Sequence, residues 1–265
     1  VGPKPRTAAG YVEARAIAES ELSAIVDLAA DPANQVILAT TTDMLLEAHR
    51  AGQRAVILGL QNALILGRKV NAIDDFFAAG VRVFALTHMG HNAFADSSRP
   101  LFNAALGTRE ATAEHGGLSD LGRGAIRRIN ALGGIVDISQ LSKQAALQAM
   151  TVSTTPVIAS HSNARALTNV SRNLSDEELD AIAATGGVVH IAPFAGYLFD
   201  SSDPKLDAAI RSVRRNAGID EDYLYPFELY WEIKDVAIKT EFLTAVRGLL
   251  GPIDLDTMLD HLDYV

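Results

Sequence analysis

Along the chain, short runs of β-branched and other apolar residues alternate with amphipathic stretches, and each run ends on polar residues. VILATTT (36–42) leads into DMLLEAHRAG, AVILGLQNA (55–63) into a loop and AIDDFFAAG, and VRVFALTHMGHN (81–92) into a long polar segment and LSDLGRGAIRRINALGG. GIVDISQLS (134–142) precedes SKQAALQAM, PVIASHS (156–162) precedes NARALTNV and SDEELDAIAATGG, and GVVHIAPF (187–194) closes the series. The runs predict strands and the stretches between them predict helices. Asp43 is the expected N-cap of the helix after the first run, with Gly52 just past its end, and Ser175 followed by Glu178 forms a capping box. Strands this apolar, separated by helices, belong to a parallel sheet covered on both faces, so the predicted fold class is α/β.

Two parallel architectures compete. An open doubly wound sheet that binds nucleotides carries a glycine-rich turn after an early strand, and this chain has neither GxGxxG nor GxxxxGK[ST]. Its polar residues are spread over several strand ends instead: Gln61, His88, Asp137 with Gln140, His161 and His190. That distribution is what a (β/α)8 TIM barrel offers to chemistry, and the barrel is the expected architecture. From Phe199 to Val265 the pattern turns helical and charged. In its last stretch Ile253 or Leu255, Met258 or Leu259, and Leu262 fall on one face, behind Asp254 as a cap. RSVRR (211–215) reads as a solvated helix face.

Length and charge narrow the picture. At 265 residues and 48% hydrophobic, the chain suits one large domain, 1–265, with a helical C-terminal segment at 199–265. A net charge of -9 argues against a nucleic-acid or anionic-membrane surface. No apolar run approaches the roughly 18 residues of a membrane span. The absence of cysteine excludes disulfides and thiolate metal sites. The opening VGPKPRTAAG lacks the basic-then-apolar pattern of a signal peptide.

Four of the seven histidines, His88, His91, His161 and His190, stand at or near strand ends, where imidazoles of a barrel converge. His88 and His91 sit in a loop, so the helical spacing of many zinc pairs does not apply, and spacing alone gives a weak metal signal. ADSSRP, with Asp96, Ser97, Ser98 and Arg99, reads as a turn held by side-chain hydrogen bonds. Arg172, just before the Ser175 cap, is placed to point into a pocket.

Three segments now carry a resemblance: VRVFALTHMGHNAFADSSRP, HGGLSDLGRGAIRRINALGGIVDISQLS, and PVIASHSNARALTNVSRNLSDEELDAIAATGGVV. Together they resemble the renal, or membrane, dipeptidase family of zinc-dependent hydrolases over roughly Val36 to Tyr197. The resemblance implies a barrel of the amidohydrolase type with a two-zinc centre. It further implies His161 as a metal ligand, His88 as the group that stabilises the tetrahedral intermediate, and Arg172 as the holder of the substrate carboxylate, with Asn92 also binding substrate. Gln61 stands where the family has a bridging glutamate, and Gln140 where it has its other histidine ligand. The His-x-Asp pair of the first strand and the aspartate of the last have no counterpart, so first and last strands are expected to be missing from this chain.

Glutamine has the shape of glutamate without its charge, and a carboxamide is a poor zinc ligand beside imidazole. Two readings stay open. One is a metal-dependent hydrolase that cleaves the amide bond of dipeptides or small peptide-like substrates, using zinc. The other is a metal-deficient homologue that binds or tailors such peptides without hydrolysis. One metal at His161, helped by ligands outside this chain, fits between them. The resemblance also implies a homodimer and a periplasmic or otherwise exported protein, while the residues themselves are equally compatible with the cytoplasm.

Overall fold

The computed structural model describes residues 4–103, 106–251 and 254–265. The chain divides into two compact units, Val1–Pro100 with Ala111–Ile158, and Leu101–Glu110 with Ala159–Val265. The strands are β1 (Val36–Leu38), β2 (Arg54–Val56), β3 (Leu58–Gln61), β4 (Val81–Ala85), β5 (Phe102–Asn103), β6 (Thr108–Arg109), β7 (Ile135–Asp137), β8 (Ile158–Ala159) and β9 (Val188–Val189). The helices are α1 (Ala8–Ala30), α2 (Thr42–Arg50), α3 (Ala72–Ala78), α4 (Asp120–Leu132), α5 (Lys143–Val152), α6 (Asp176–Thr185), α7 (Ala195–Leu198), α8 (Pro204–Asn216), α9 (Val236–Leu250) and α10 (Leu255–Tyr264).

The first unit is a parallel α/β layer, as the pattern predicts. β3 pairs with β4, and β4 with β7, all parallel, with Gln61 opposite Ala85 and Ala85 opposite Asp137. The three strands therefore end at one level, and Asp137 in turn pairs with Ile158. β1 pairs in parallel with β2. Helix α4 shows how tightly this unit packs. Ser119 caps it by accepting from the Gly122 N–H, Gly133 ends it in the left-handed region, and Ala125, Ile126 and Ile129 are fully buried. At Gly122 a Cβ would lie 2.1 Å from the Phe94 carbonyl oxygen, so only glycine lets the helix approach this closely.

The second unit holds β9, whose following residue His190 donates its backbone N–H to the Ala159 carbonyl, and the small antiparallel ribbon of β5 and β6, which the sequence pattern does not announce. Its core gathers Val170, Tyr197, Ile210, Tyr225, Phe242 and Val246, among others, and the helical character expected for 199–265 is present in α8, α9 and α10. The capping box of α6 forms: the Glu178 carboxylate accepts from both the backbone N–H and the hydroxyl of Ser175.

Four local expectations need correction. The N-cap of α2 is Thr41, whose hydroxyl accepts from the Met44 N–H, and Asp43 lies inside the first turn. NARALTNV forms no helix, because its backbone is spent on tertiary pairing: the Arg165 N–H donates to the Leu174 carbonyl and the Leu174 N–H to that of Asn163. RSVRR is not wholly solvated, since Arg214 is fully buried and donates to the carbonyls of Asp220, Pro226 and Glu228. In α10 the expected apolar face is turned outward, with Leu255 66% and Leu262 54% exposed, while His261 is the buried residue. Asp254 does cap that helix, and Ile253 lies outside the described residues.

Candidate functional site

The candidate residues of the first unit lie at the ends of β3, β4 and β7. Gln61 closes β3 and is exposed. Asn62 follows at φ 90°, a left-handed backbone that a non-glycine residue adopts at some cost. It is held there because its Oδ1 accepts from the Leu64 N–H and from Asn92 Nδ2. Asn92 is itself buried, with Nδ2 also donating to the Leu86 carbonyl and Oδ1 accepting from the N–H groups of Phe94 and Ala95. Two donors and two acceptor sites are all that a carboxamide has. The Asn92 side chain is thus consumed in shaping the loop after β4, which redirects the expectation that it binds substrate.

That loop carries His88 and His91, and the two differ. His91 is buried, its Nδ1 accepting from the Ser97 N–H at 3.0 Å and its Nε2 lying 2.8 Å from the Ala111 carbonyl. Only the tautomer with the proton on Nε2 satisfies both contacts, so His91 is a structural member of the loop. His88 is half-buried, and its own carbonyl accepts from the Ser97 hydroxyl. Behind both stands Asp96, fully buried, whose carboxylate accepts backbone N–H groups from Glu114, His115 and Gly117. Burial pushes its pKa up, yet these backbone bonds outweigh it and hold the carboxyl below the usual range.

Gln140 lies just beyond β7, in a turn closed by the Leu141 N–H donating to the Ile138 carbonyl, and its φ is 72°. A glutamine there is buried and held from two directions. Its backbone carbonyl accepts from the Thr87 hydroxyl at 2.7 Å and the Ser98 N–H at 2.9 Å, while its side-chain Oε1 accepts from Arg99 Nη2 at 2.6 Å. Arg99, read from the sequence as part of a turn, is therefore a site residue that the sequence does not reveal.

In the second unit, His161 is half-buried with Nδ1 2.7 Å from the Ser160 hydroxyl. Arg172 is buried and braced: Nε donates to the Tyr197 hydroxyl, Nη2 donates to the His161 carbonyl, and the guanidinium lies over the Tyr197 ring at 5.0 Å. Tyr197 is the second site residue missed from the sequence, where it reads as one more aromatic. His190 is exposed, with Nδ1 3.3 Å from the Ala159 carbonyl.

Among the described residues, no three His, Cys, Asp or Glu side chains gather into a group that could hold a metal ion. The donors at the expected positions are one imidazole and two carboxamides, and one of the carboxamides already accepts from a guanidinium. This set does not fit a two-zinc centre. No helix among the described residues is long and apolar enough to cross a membrane.

Parallel strands, helices between them and polar residues at the strand ends define an α/β protein of the kind that many hydrolases use. The model of one family, membrane dipeptidase (peptidase family M19), matches residues 5–265. The chain belongs to that family, and membership implies metal dependence. It is 32% identical to the probable dipeptidase PvdM from Pseudomonas aeruginosa, whose crystal structure it matches with a TM-score of 0.81 over 99% of this chain and 66% of that one. It is 34% identical over 171 residues to dipeptidase tcpJ of Claviceps purpurea (strain 20.1) and 31% identical over 170 residues to dipeptidase verJ of Clonostachys rogersoniana. Each match covers 64% of this chain, and the chain spans 37% and 41% of those two relatives.

Proposed function

We propose that the protein is a dipeptidase-like hydrolase, built on a (β/α)8 barrel, that cleaves the amide bond of dipeptides or small peptide-like substrates. The family match over nearly the whole chain carries this reading. The state of Arg172 supports it. A buried guanidinium braced by a tyrosine hydroxyl and a backbone carbonyl is a rigid fork, and a substrate carboxylate is the partner it suits. His88 takes the role of stabilising the oxyanion that forms when water adds to the amide carbonyl. Asn92 serves by fixing the loop that carries His88. Zinc is the metal the family suggests, and the donors in this chain fit it poorly, so each of these roles belongs to the protein's own side chains. Two copies of the chain are proposed to associate, which light scattering tests directly.

The decisive assay follows release of free amino acids from a panel of dipeptides. Arg172→Ala is expected to raise KM for free dipeptides at least about tenfold, the usual worth of a hydrogen bond to a charged group, and to leave carboxy-amidated dipeptides unchanged. Arg172→Lys keeps the charge but not the fork and should fall between. Equal losses on both substrate classes would reject the role of Arg172. No hydrolysis of any dipeptide would reject the function.

A further inference from the structure

We infer that the Arg99–Gln140 pair has replaced a metal ligand: Gln140 clamps a buried guanidinium and donates to no metal, so this end of β7 supplies no ligand. The inference rests on the family reading, which says that a ligand belongs there. What the structure adds is where the carboxamide is spent.

The clamp is over-determined. The turn from Ile138 to Leu141 fixes the Gln140 backbone in the left-handed region, and two short hydrogen bonds from Thr87 and Ser98 fix its carbonyl. The partner side is equally fixed. The Arg99 N–H donates to the Ser97 hydroxyl, the Arg99 carbonyl accepts from the Gly90 N–H, and Ser97 bridges to Leu141. Both side chains are buried, at 2% exposure for Gln140 and 7% for Arg99. Turning Oε1 away from Arg99 would break a short bond between two loops whose backbones are fixed.

A metal arriving at Oε1 would face two obstacles. A lone pair of that oxygen is engaged in a charge-assisted hydrogen bond at 2.6 Å, stronger than a neutral one. The donor is also a fixed cation one hydrogen bond from the ligand atom, which repels a divalent ion in a buried setting. It follows that restoring the histidine is not enough. With Arg99 in place, an imidazole at position 140 would still sit against a positive charge, and would serve Arg99 as an acceptor just as the carboxamide does.

The test measures bound zinc by elemental analysis, after incubation with zinc and gel filtration, in the protein purified with its full natural chain. The variants are Gln140→Ala, Gln140→His, Gln140→Glu and the double variant Gln140→His/Arg99→Met. The natural protein, Gln140→His and Gln140→Glu are expected to hold equal zinc, and the double variant to gain about one ion per chain. Gln140→Glu should raise the melting temperature, because it turns the clamp into an ion pair and keeps Arg99 satisfied, so it also guards against a misfolded variant. A natural protein with about two zinc ions, one of them lost in Gln140→Ala, would overturn the inference. A full ion gained by Gln140→His alone, or none gained by a folded double variant, would overturn it as well. Dipeptide hydrolysis by the same natural sample reads the proposed function separately. Hydrolysis with two bound zinc ions, one of them lost in Gln140→Ala, sinks only this inference, and no hydrolysis with unchanged zinc sinks only the function.

Discussion

The two units treat their strand-end polar residues differently. In the first, the side chains close on one another: Asn92 spends all four of its hydrogen bonds internally, Asn62 and Asn92 share one, and Gln140 is bonded to Arg99. In the second, Arg172 is braced by the Tyr197 hydroxyl and the His161 carbonyl, which set the orientation of the guanidinium fork. The departures from the family pattern, Gln61 and Gln140, fall in the first unit together with the match His88, and the matches His161 and Arg172 fall in the second. The difference teaches how a ligand position is given up. A buried carboxamide without a partner costs about 1–3 kcal/mol, so a glutamine at position 140 is tolerable because a neighbouring loop supplies a donor.

If internal bonding is what defines the first unit, its hub should be the costliest residue to remove. Asp96→Ala takes the carboxylate acceptor from three backbone N–H groups of the 114–117 segment, that of Gly117 buried, and leaves His91 without its neighbour. The expected loss is about 3–5 kcal/mol in urea unfolding, and a loss under about 1 kcal/mol would mean that this network is decoration. Gly122→Ala probes the same unit through packing. Its Cβ would collide with the Phe94 carbonyl oxygen, and moving α4 aside should cost about 1–3 kcal/mol despite the better helix propensity of alanine. In the second unit, Glu178→Ala removes the capping box of α6 and should cost about 1 kcal/mol. An equal or larger loss there than for Asp96→Ala would erase the contrast.

The sequence shows the frame of the site better than its wiring. Each expected run contains a strand, and each polar run end is placed where the apolar pattern stops, because burial of the strand and exposure of its end both follow from composition. The structural strands are short, two to five residues, since the rest of each run is already loop. What the sequence cannot show are pairings between distant loops. Arg99 and Gln140 are 41 residues apart, and nothing local distinguishes Arg99 from any other arginine after a serine pair. Positive φ at Asn62 and Gln140 is equally silent, because tertiary hydrogen bonds impose it. Arg214 misleads for the same reason: a charge on a helix reads as solvated until the loop that wraps it is known. In α10 periodicity marks an apolar stripe, yet the buried residue is His261, chosen by its hydrogen bonds.

His261 gives the smallest effect and the sharpest contrast between the units, because each is stitched by a titratable group that acid undoes in a different range. Burial pushes the His261 pKa down, against the Leu198 carbonyl and Asp260, and its Nδ1 accepts from the Ala164 N–H. A histidine lowered on folding contributes stability that is complete above its unfolded value, about 6.5, and is lost as the pH falls through the lower folded value. Asp96 has the same sign in another window: its contribution holds down to about pH 4 and is lost below it, toward the depressed folded value. The urea midpoint of the natural protein should therefore decline between about pH 7 and 5 relative to His261→Asn. Asp96→Asn, in contrast, should run parallel to the natural protein over that range and diverge from it only below about pH 4. If His261→Asn and the natural protein decline together from pH 7 to 5, the His261 imidazole takes up its proton as readily in the folded state as in the unfolded one, and the bond from the Ala164 N–H does not hold it neutral.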